Sequence, residues 1–475
     1  MTWASVSPAV GEIFLAFAIC LVLLVDVFAG AAGRRVTPTL TLLSLLVCAG
    51  LLIGVGQVGA RTELFDGLYV ADPVSWVLKL AAILAVAVAL VYSRAYMDVR
   101  GTNRGEYYVL ALTALLGVFV LTSANSLLTV YVGVELLALS VYAMVAFDRE
   151  NGVAAEAAMK YFVLGAIASG VLLYGMSILY GITGSLSLDV LAQKLADPTP
   201  GVVLGLAFVV AAVAFKQGAV PFHMWLPDVY EGAPTNVTLF IATAPKIAYF
   251  SLALRMLTQG LAGVSSEWIH MLIPLAVLTL VLGNVVAIVQ TSIKRMLAYS
   301  AIANVGFIVL GFVAGTPAGY AASMYYTLVY VLVTLGTFGV ILLMTQKGYE
   351  ADKLDDYKGL AKRDPMLALV MMVLMFSTAG VPPFVGFWPK LAILQQLWAS
   401  GHTALVIISA VISVVGAYYY LHVVKRIYFD DPAEGRPLPE RQSGVRLAVL
   451  INAIAVFALG VLPGPLLSLC SRLLG

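Results

Sequence analysis

A chain of 475 residues that is 61% hydrophobic and only 11% charged falls outside the soluble globular class, where about a quarter of residues carry charge. Its formal net charge of +2 says little about partners, but there is no basic patch of the kind that suggests nucleic acid, and the lipid bilayer is the expected solvent. Cys20, Cys48 and Cys470 all stand in apolar runs. They read as buried small hydrophobes, not as a disulfide framework or a metal site.

About 20 apolar residues cross a bilayer, and such runs follow one another along the whole chain. Fourteen spans are expected, near 9–29, 38–58, 74–95, 107–122, 126–146, 156–180, 201–221, 235–258, 268–290, 296–315, 319–345, 365–398, 402–429 and 445–470. The first carries Glu12 and Asp26 with no basic stretch before it, which argues against a cleaved signal peptide. Joints as short as Ser123 to Ser126 and Ser400-Gly401 imply antiparallel neighbours in a compact bundle. The longest polar loop, Gln346 to Asp364, is too small to be a domain.

Loop charge sets the orientation. With the N-terminus outside, 18 of the 27 basic residues fall on the inner side, from Arg34 and Arg35 through Lys294 and Arg295 to Arg436, Arg441 and Arg446. The outer side holds only Arg61, Lys194, Arg255 and Arg472. This bias is the positive-inside pattern and places both termini outside. The remaining five, Lys79, Lys160, Lys216, Lys246 and Lys390, fall within spans.

One stretch organises the rest. In Ala214-Phe-Lys-Gln-Gly-Ala-Val-Pro-Phe-His-Met-Trp-Leu-Pro-Asp-Val-Tyr-Glu-Gly-Ala-Pro234 an apolar helix with Lys216 is broken by Pro221. A turn with His223, Asp228 and Glu231 follows, then a second apolar helix with Lys246. A lysine at the bilayer centre costs roughly 2.5–3.5 kcal/mol even on lenient scales. Irregular backbone at that depth is tolerated only when buried in protein or lining a wet cavity. Together they point to an ion or proton path. Val220-Pro-Phe-His-Met-Trp225 is echoed by Val381-Pro-Pro-Phe-Val-Gly-Phe-Trp388, with Pro221 and Pro382 161 residues apart, as are the span starts near 107 and 268. Five helices separate the copies, so the second is inverted. The fold class expected is an all-α polytopic membrane protein with two inverted five-helix repeats, each containing a broken helix. The divisions are 1–106, 107–258, 268–429 and 430–475.

The charged residues inside spans carry the chemistry. Glu135, mid-span in Tyr131-Val-Gly-Val-Glu-Leu-Leu-Ala-Leu-Ser140, reads either as a structural carboxyl bonded to a neighbouring helix or as a partner whose ion pair with Lys216 opens and closes. Lys216 and Lys246 are the candidate proton carriers, against a reading in which they snorkel to the interface. Lys160 follows Glu156 by four residues, the favourable order for a surface pair, which leaves an interfacial pair and a buried relay both open. Lys390 follows the second break. Lys79, beside Trp76, reads as snorkelling, so its replacement is expected to be nearly silent. His223 is placed to pass a proton or to serve as a hydrogen-bond partner. Asp228 and Glu231 read as half-channel lining or as caps for the helix after Pro234. No nucleotide loop, metal site or nucleophile with its base stands in the sequence.

These residues resemble the antiporter-like membrane subunits of respiratory complex I, the NADH-quinone oxidoreductase. The carrying segments are Tyr131 to Leu139 with Glu135, Phe215 to Pro234, Lys294-Arg-Met-Leu-Ala-Tyr-Ser300, and Ser377 to Phe387 with Lys390. The likeness covers nearly the whole chain. It implies fourteen helices, a proton half-channel in each repeat and a row of charges along the membrane plane. It also implies roles: Glu135 and Lys216 as a switching pair, Lys246 as the connecting lysine, Lys160 as a further relay lysine, and Lys390 as the residue of the second half-channel. A lysine at 390, and an end soon after the last helix, favour one subunit type over its sisters. One departure stands out. Where the family commonly has a histidine this chain has Asn304, which does not titrate, so a relay there needs water or another group.

The resemblance implies a proton-translocating subunit, a translocase component with no cofactor of its own. NADH, FMN, iron–sulfur clusters and quinone then belong to partner subunits, and the partners are the other antiporter-like and small helical membrane subunits. The setting implied is a bacterial inner membrane, with both termini periplasmic. A subunit of a multi-subunit cation/proton antiporter without redox role is the alternative. A membrane scaffold with vestigial charges accounts least well for so many charges within spans.

Overall fold

The computed structural model describes residues 6–30, 33–54, 61–432 and 443–474. Residues 55–58 of the second expected span, and Arg436 and Arg441 of the charge count, lie outside these.

The chain is an all-helical membrane protein. Thirteen of its helices, among the described residues, are long and apolar enough to cross a bilayer. A short hairpin of Thr62–Leu64 against Tyr69–Ala71 lies between the second and third. The expected span 365–398, read with a break at Pro382, consists of two helices, Pro365–Ala379 and Phe387–Ala399. Gly380 ends the first in a left-handed conformation (φ +85°), and Pro382 and Pro383 have no N–H with which to continue it. The stretch from Pro200 behaves alike: its helix stops at Gln217, Gly218 has φ +83°, and Trp225–Gly232 resumes after a turn. The Val220–Pro221 and Pro382–Pro383 bonds in these turns are cis.

Two compact units make up the chain. The first comprises Met1–Leu90, Thr102–Lys216 and Ala244–Met271, the second Val91–Gly101, Gln217–Thr243 and Leu272–Gly475. Local signals set the helix ends in each. In the first unit Ser126 and Thr129 form a capping box before Leu127–Val145, and the Asn151 side chain accepts from Val153 and Ala154 to start Gly152–Thr183. In the second, Ser292 caps Ile293–Val313 and Asp364 caps Pro365–Ala379.

Packing depends on small residues, because lipid gives helices no hydrophobic reason to associate. A methyl group on Gly117 would lie 2.5 Å from the Leu137 backbone nitrogen, and one on Gly133 2.8 Å from that of Leu121. The backbones of Gly105–Thr122 and Leu127–Val145 are therefore in near contact. In the helical run Thr235–Gly260 every residue but Thr258 and Gln259 is buried, and Lys246 belongs to it. In contrast, Val10–Ala29 is mostly uncovered, with Phe17, Leu24 and Phe28 exposed. Cys20 on that helix is exposed as well, contrary to expectation, whereas Cys48 and Cys470 are buried.

Three basic residues sit differently from the sequence expectation. Lys79 does not snorkel: it is 2% exposed, its Nζ lies 2.5 Å from Glu12 Oε1 and donates to the Tyr69 hydroxyl at 2.9 Å. Arg255 is not on an outer loop. It is buried in the π-helical turn Leu254–Gly260 and grips both Asp72 carboxylate oxygens at 2.7 and 2.9 Å. Its Nε and Nη2 also donate to the Thr122 carbonyl. Lys294 is buried too and donates to the Ala233 carbonyl at 2.8 Å. Each has exchanged water for a partner far away in sequence, as a buried charge must.

Candidate proton path

Glu135, Lys160, Lys216 and Lys246 belong to the first unit, and His223 and Lys390 to the second. Glu135 is the ninth residue of Leu127–Val145. It is partly buried, and its Oε1 has no hydrogen-bond partner. Lys216 lies in the last turn of Pro200–Gln217, 2% exposed, with its Nζ donating to Ser169 Oγ at 3.1 Å. Glu135 and Lys216 make no direct ion pair, yet Glu135 is within electrostatic range of Lys216, Tyr142 and Tyr249. The Coulomb interaction of a carboxylate with a cation that it does not touch changes with the distance between them.

Lys246 is 3% exposed in Ala244–Ala253, every residue of which is buried. Three residues further on, the Tyr249 hydroxyl bonds with Tyr161, and Tyr161 packs edge-on against Tyr142 with ring centroids 4.6 Å apart. The Tyr142 and Tyr249 phenols are thus within electrostatic range of Glu135. Lys160 is placed otherwise. It pairs with Glu156 at 2.9 Å on an open helix face, the two side chains being 44% and 67% exposed.

In the second unit Lys390 is half-buried. Its Nζ donates to the Thr378 and Ala379 carbonyls at 3.1 and 2.8 Å and to Ser413 Oγ at 3.3 Å, and it stands 5.4 Å from the Phe307 ring centre. The last carbonyls of a helix lack intrahelical partners and carry the negative end of its dipole, so helix Pro365–Ala379 ends on an ammonium. His223 is half-buried beside the Pro221 carbonyl. Asp228 and Glu231 do not cap the next helix, whose first residue follows Pro234 with no side-chain cap. Both pair with Arg295, each at 2.9 Å.

Sequence reasoning did not pick out the polar cluster around Asn304. The Tyr326 hydroxyl donates to Asn304 Oδ1 at 2.6 Å, Asn304 Nδ2 donates to the Ser300 carbonyl at 2.7 Å, and Ser300 Oγ meets the Tyr420 hydroxyl at 2.5 Å. The signal was present: Ser300 and Asn304, and likewise Tyr326, Tyr330 and Thr334, recur at four-residue spacing on apolar helices, which puts each set on one face.

The model of a family described as "NADH:quinone oxidoreductase/Mrp antiporter, TM" matches residues 124–416, which include Glu135, both proline turns and all the lysines just described except Lys79. The chain belongs to that family. It is 51% identical over 472 residues to the NADH-quinone oxidoreductase subunit N of Thiobacillus denitrificans, covering 99% of this chain and 97% of the relative. It is 49% identical over 479 residues to the protein of the same name from Herminiimonas arsenicoxydans, covering 98% and 97%. A chain of the respiratory complex I of Thermus thermophilus, solved with bound aureothin, superposes with a TM-score of 0.83 at 33% identity, covering 97% of this chain and 99% of that one. Family membership makes enclosed lysines within spans the features to explain, since charges at that depth are costly and usually functional.

Proposed function

We propose that this chain is the proton-translocating membrane subunit N of a bacterial-type NADH-quinone oxidoreductase. It moves protons while partner subunits pass electrons from NADH through FMN and iron–sulfur clusters to quinone. The observation that carries this reading is the pair of enclosed lysines, Lys216 at 2% and Lys246 at 3% exposure, in helices of a membrane protein. The likeness to the two subunit N relatives, which spans almost the full length, favours it over a cation/proton antiporter without a redox role, the other activity in the family's description.

In this reading Glu135 and Lys216 form the switch of one half-channel, Lys246 passes the proton on through the Tyr249–Tyr161 neighbourhood, and Lys390 serves the second half-channel. His223 borders the turn after Lys216, and Lys160, in its exposed pair with Glu156, lies outside this switch. The two half-channels fall in inverted five-helix repeats, 107–258 and 268–429, flanked by 1–106 and 430–475, and each repeat contains a broken helix. The partners are the other antiporter-like and small helical membrane subunits. The setting is the inner membrane, with both termini on the periplasmic side.

The test is purification in mild detergent from the native membrane, followed by an assay of NADH-dependent quinone reduction and of proton uptake after reconstitution. A large assembly with flavin absorbance and coupled pumping is the expected result. An assembly of membrane subunits alone, exchanging Na⁺ for H⁺ without NADH, would move the chain to the antiporter class.

A further inference from the structure

Arg255 ties two helix ends to the helical run of Lys246, all within the first unit, and takes part in none of the proton steps. It is 1% exposed. Its Nη1 and Nη2 donate to the two carboxylate oxygens of Asp72 at 2.7 and 2.9 Å. Its Nε and Nη2 donate to the Thr122 carbonyl at 3.0 and 2.8 Å. Thr122 ends helix Gly105–Thr122, where the carbonyls lack intrahelical partners and the dipole is negative. Asp72 Oδ1 also accepts from the Ser75 N–H at 2.7 Å and so caps the helix that begins at Pro73. Arg255 itself stands in the π-helical turn Leu254–Gly260, where the Leu261 N–H donates to the Met256 carbonyl at 2.9 Å. Single wide turns of this kind are rare and frequent at functional sites. The clamp bears on the relay because of what these helices pack against. Gly105–Thr122 packs on Leu127–Val145, which carries Glu135, and on Ala244–Ala253, which carries Lys246. Gly117 and Gly133 bring the first pair of backbones into near contact. The bonds from Arg255 to Thr122 hold the second pair at one end. Lys246 lies nine residues from Arg255, about 14 Å along the helix at 1.5 Å per residue.

We propose that Arg255 is a positioning residue for Lys246. Held to Asp72 and to the Thr122 carbonyl, it fixes how far helix Ala244–Ala253 is slid along Gly105–Thr122. That sets the depth of Lys246 in the bilayer against the helix of Glu135. Depth matters because proton transfer needs donor and acceptor within hydrogen-bond reach, directly or through one water. A misplacement of about 1 Å, caused far from the chemistry, can cost about 100-fold in rate. The task also accounts for an arginine. A guanidinium offers five N–H donors in one rigid plane, enough to hold two carboxylate oxygens and a carbonyl at once, whereas an ammonium is a point charge without that fork. Arg255 touches no reacting atom and moves no proton. The proposal rests on the reading of Lys246 as a proton carrier.

The experiment uses the intact complex in sealed vesicles and reads protons pumped per NADH oxidised. Assembly is followed on native gels, and cryo-electron microscopy maps of the assembled variants give the position of Lys246. Arg255→Leu with Asp72→Asn removes the clamp, leaves no charge unpaired and keeps a capping side chain before the helix that begins at Pro73. It is expected to lower the ratio towards that of a Lys246→Ala complex and to displace Lys246 by about 1 Å or more. Arg255→Lys keeps a cation against Asp72 without the fork and is expected to recover part of the ratio. The control is Lys79→Met with Glu12→Gln, which removes another buried ion pair of this unit and should pump like wild type. An equal fall in the control would overturn the proposal. A merely structural role for Arg255 predicts less complex, a wild-type ratio in what assembles and an unmoved Lys246. That result, with a lowered ratio for Lys246→Ala, overturns the positioning role and leaves the relay standing. If Lys246→Ala itself pumps like wild type, the relay reading falls and the proposal with it. Should the clamp-free variant not assemble, Arg255→Lys decides alone: a shifted Lys246 with a lowered ratio supports the proposal, and wild-type values of both overturn it.

Discussion

Lys216 and Lys390 are both lysines beside a proline turn, yet they are held by different kinds of group. Lys216 bonds to a single hydroxyl, Ser169, and feels the Glu135 carboxylate at a distance. Lys390 bonds to two helix-terminal carbonyls and a hydroxyl. A carboxylate is a movable charge that protonation removes, whereas a helix terminus is a fixed partial charge. The first lysine can thus be switched by its neighbour. The second is held in a constant field, and its loading depends on how protons reach it.

The widest break in this comparison comes from removing the switched lysine. Lys216→Ala is expected to abolish pumping through this subunit and to slow quinone reduction where redox and pumping are tightly coupled, since losing a positioned proton carrier costs about 10²-fold or more in transfer rate. Glu135→Gln keeps the shape and removes the switch, so it should act in the same direction. Proton uptake per NADH in reconstituted vesicles measures both. If Glu135→Gln pumps normally while Lys216→Ala does not, the carboxylate is structural and the contrast between the two lysines disappears.

A smaller effect sharpens the other half. Gly380 ends helix Pro365–Ala379 with φ +85°, and a methyl group there would lie 2.9 Å from Lys390 Cδ. Gly380→Ala therefore meets backbone strain of about 1–2 kcal/mol and pushes the lysine off its carbonyls. Thermal stability of the complex should fall modestly, and pumping should fall by a larger factor. Equal losses in both would mean that the fixed carbonyls do not tune Lys390.

The ion pair of Glu12 and Lys79 belongs to neither lysine's surroundings and serves as the control. Lys79→Met leaves a buried carboxylate uncompensated, at a cost of about 3–5 kcal/mol, while removing both charges together is often near neutral. Assembly should drop for Lys79→Met and return for Lys79→Met with Glu12→Gln. Full assembly of the single variant would restore the snorkelling expectation.

The sequence made the lysines inside spans and the proline turns visible because both break a strong local pattern, charge in an apolar run and a missing N–H in a helix. It hid what depends on distant partners. Lys79 looked free because Glu12 lies two spans earlier. Arg255 was placed on the outer side because its carboxylate, Asp72, is 183 residues away. Asn304 was noticed only for being untitratable, since its neighbours Tyr326 and Tyr420 come from other helices. The span expected at 365–398 was read with a break at Pro382, and helices Pro365–Ala379 and Phe387–Ala399 lie on either side of that residue.

Lys160 carries the smallest expected effect. Family resemblance gives it a relay role, but its pair with Glu156 stands on an open helix face, where an ion pair in water is worth roughly 0–1 kcal/mol. On a face turned to lipid or to a neighbouring subunit the same pair is worth more, because water no longer competes for it. Lys160→Ala should leave proton uptake per NADH close to wild type and shift assembly slightly. A fall in that ratio as deep as that of Lys216→Ala would show that an exposed lysine takes part in the relay. The proton path of the first unit would then reach its outer surface, and the contrast with the second would be one of access as well as of charge.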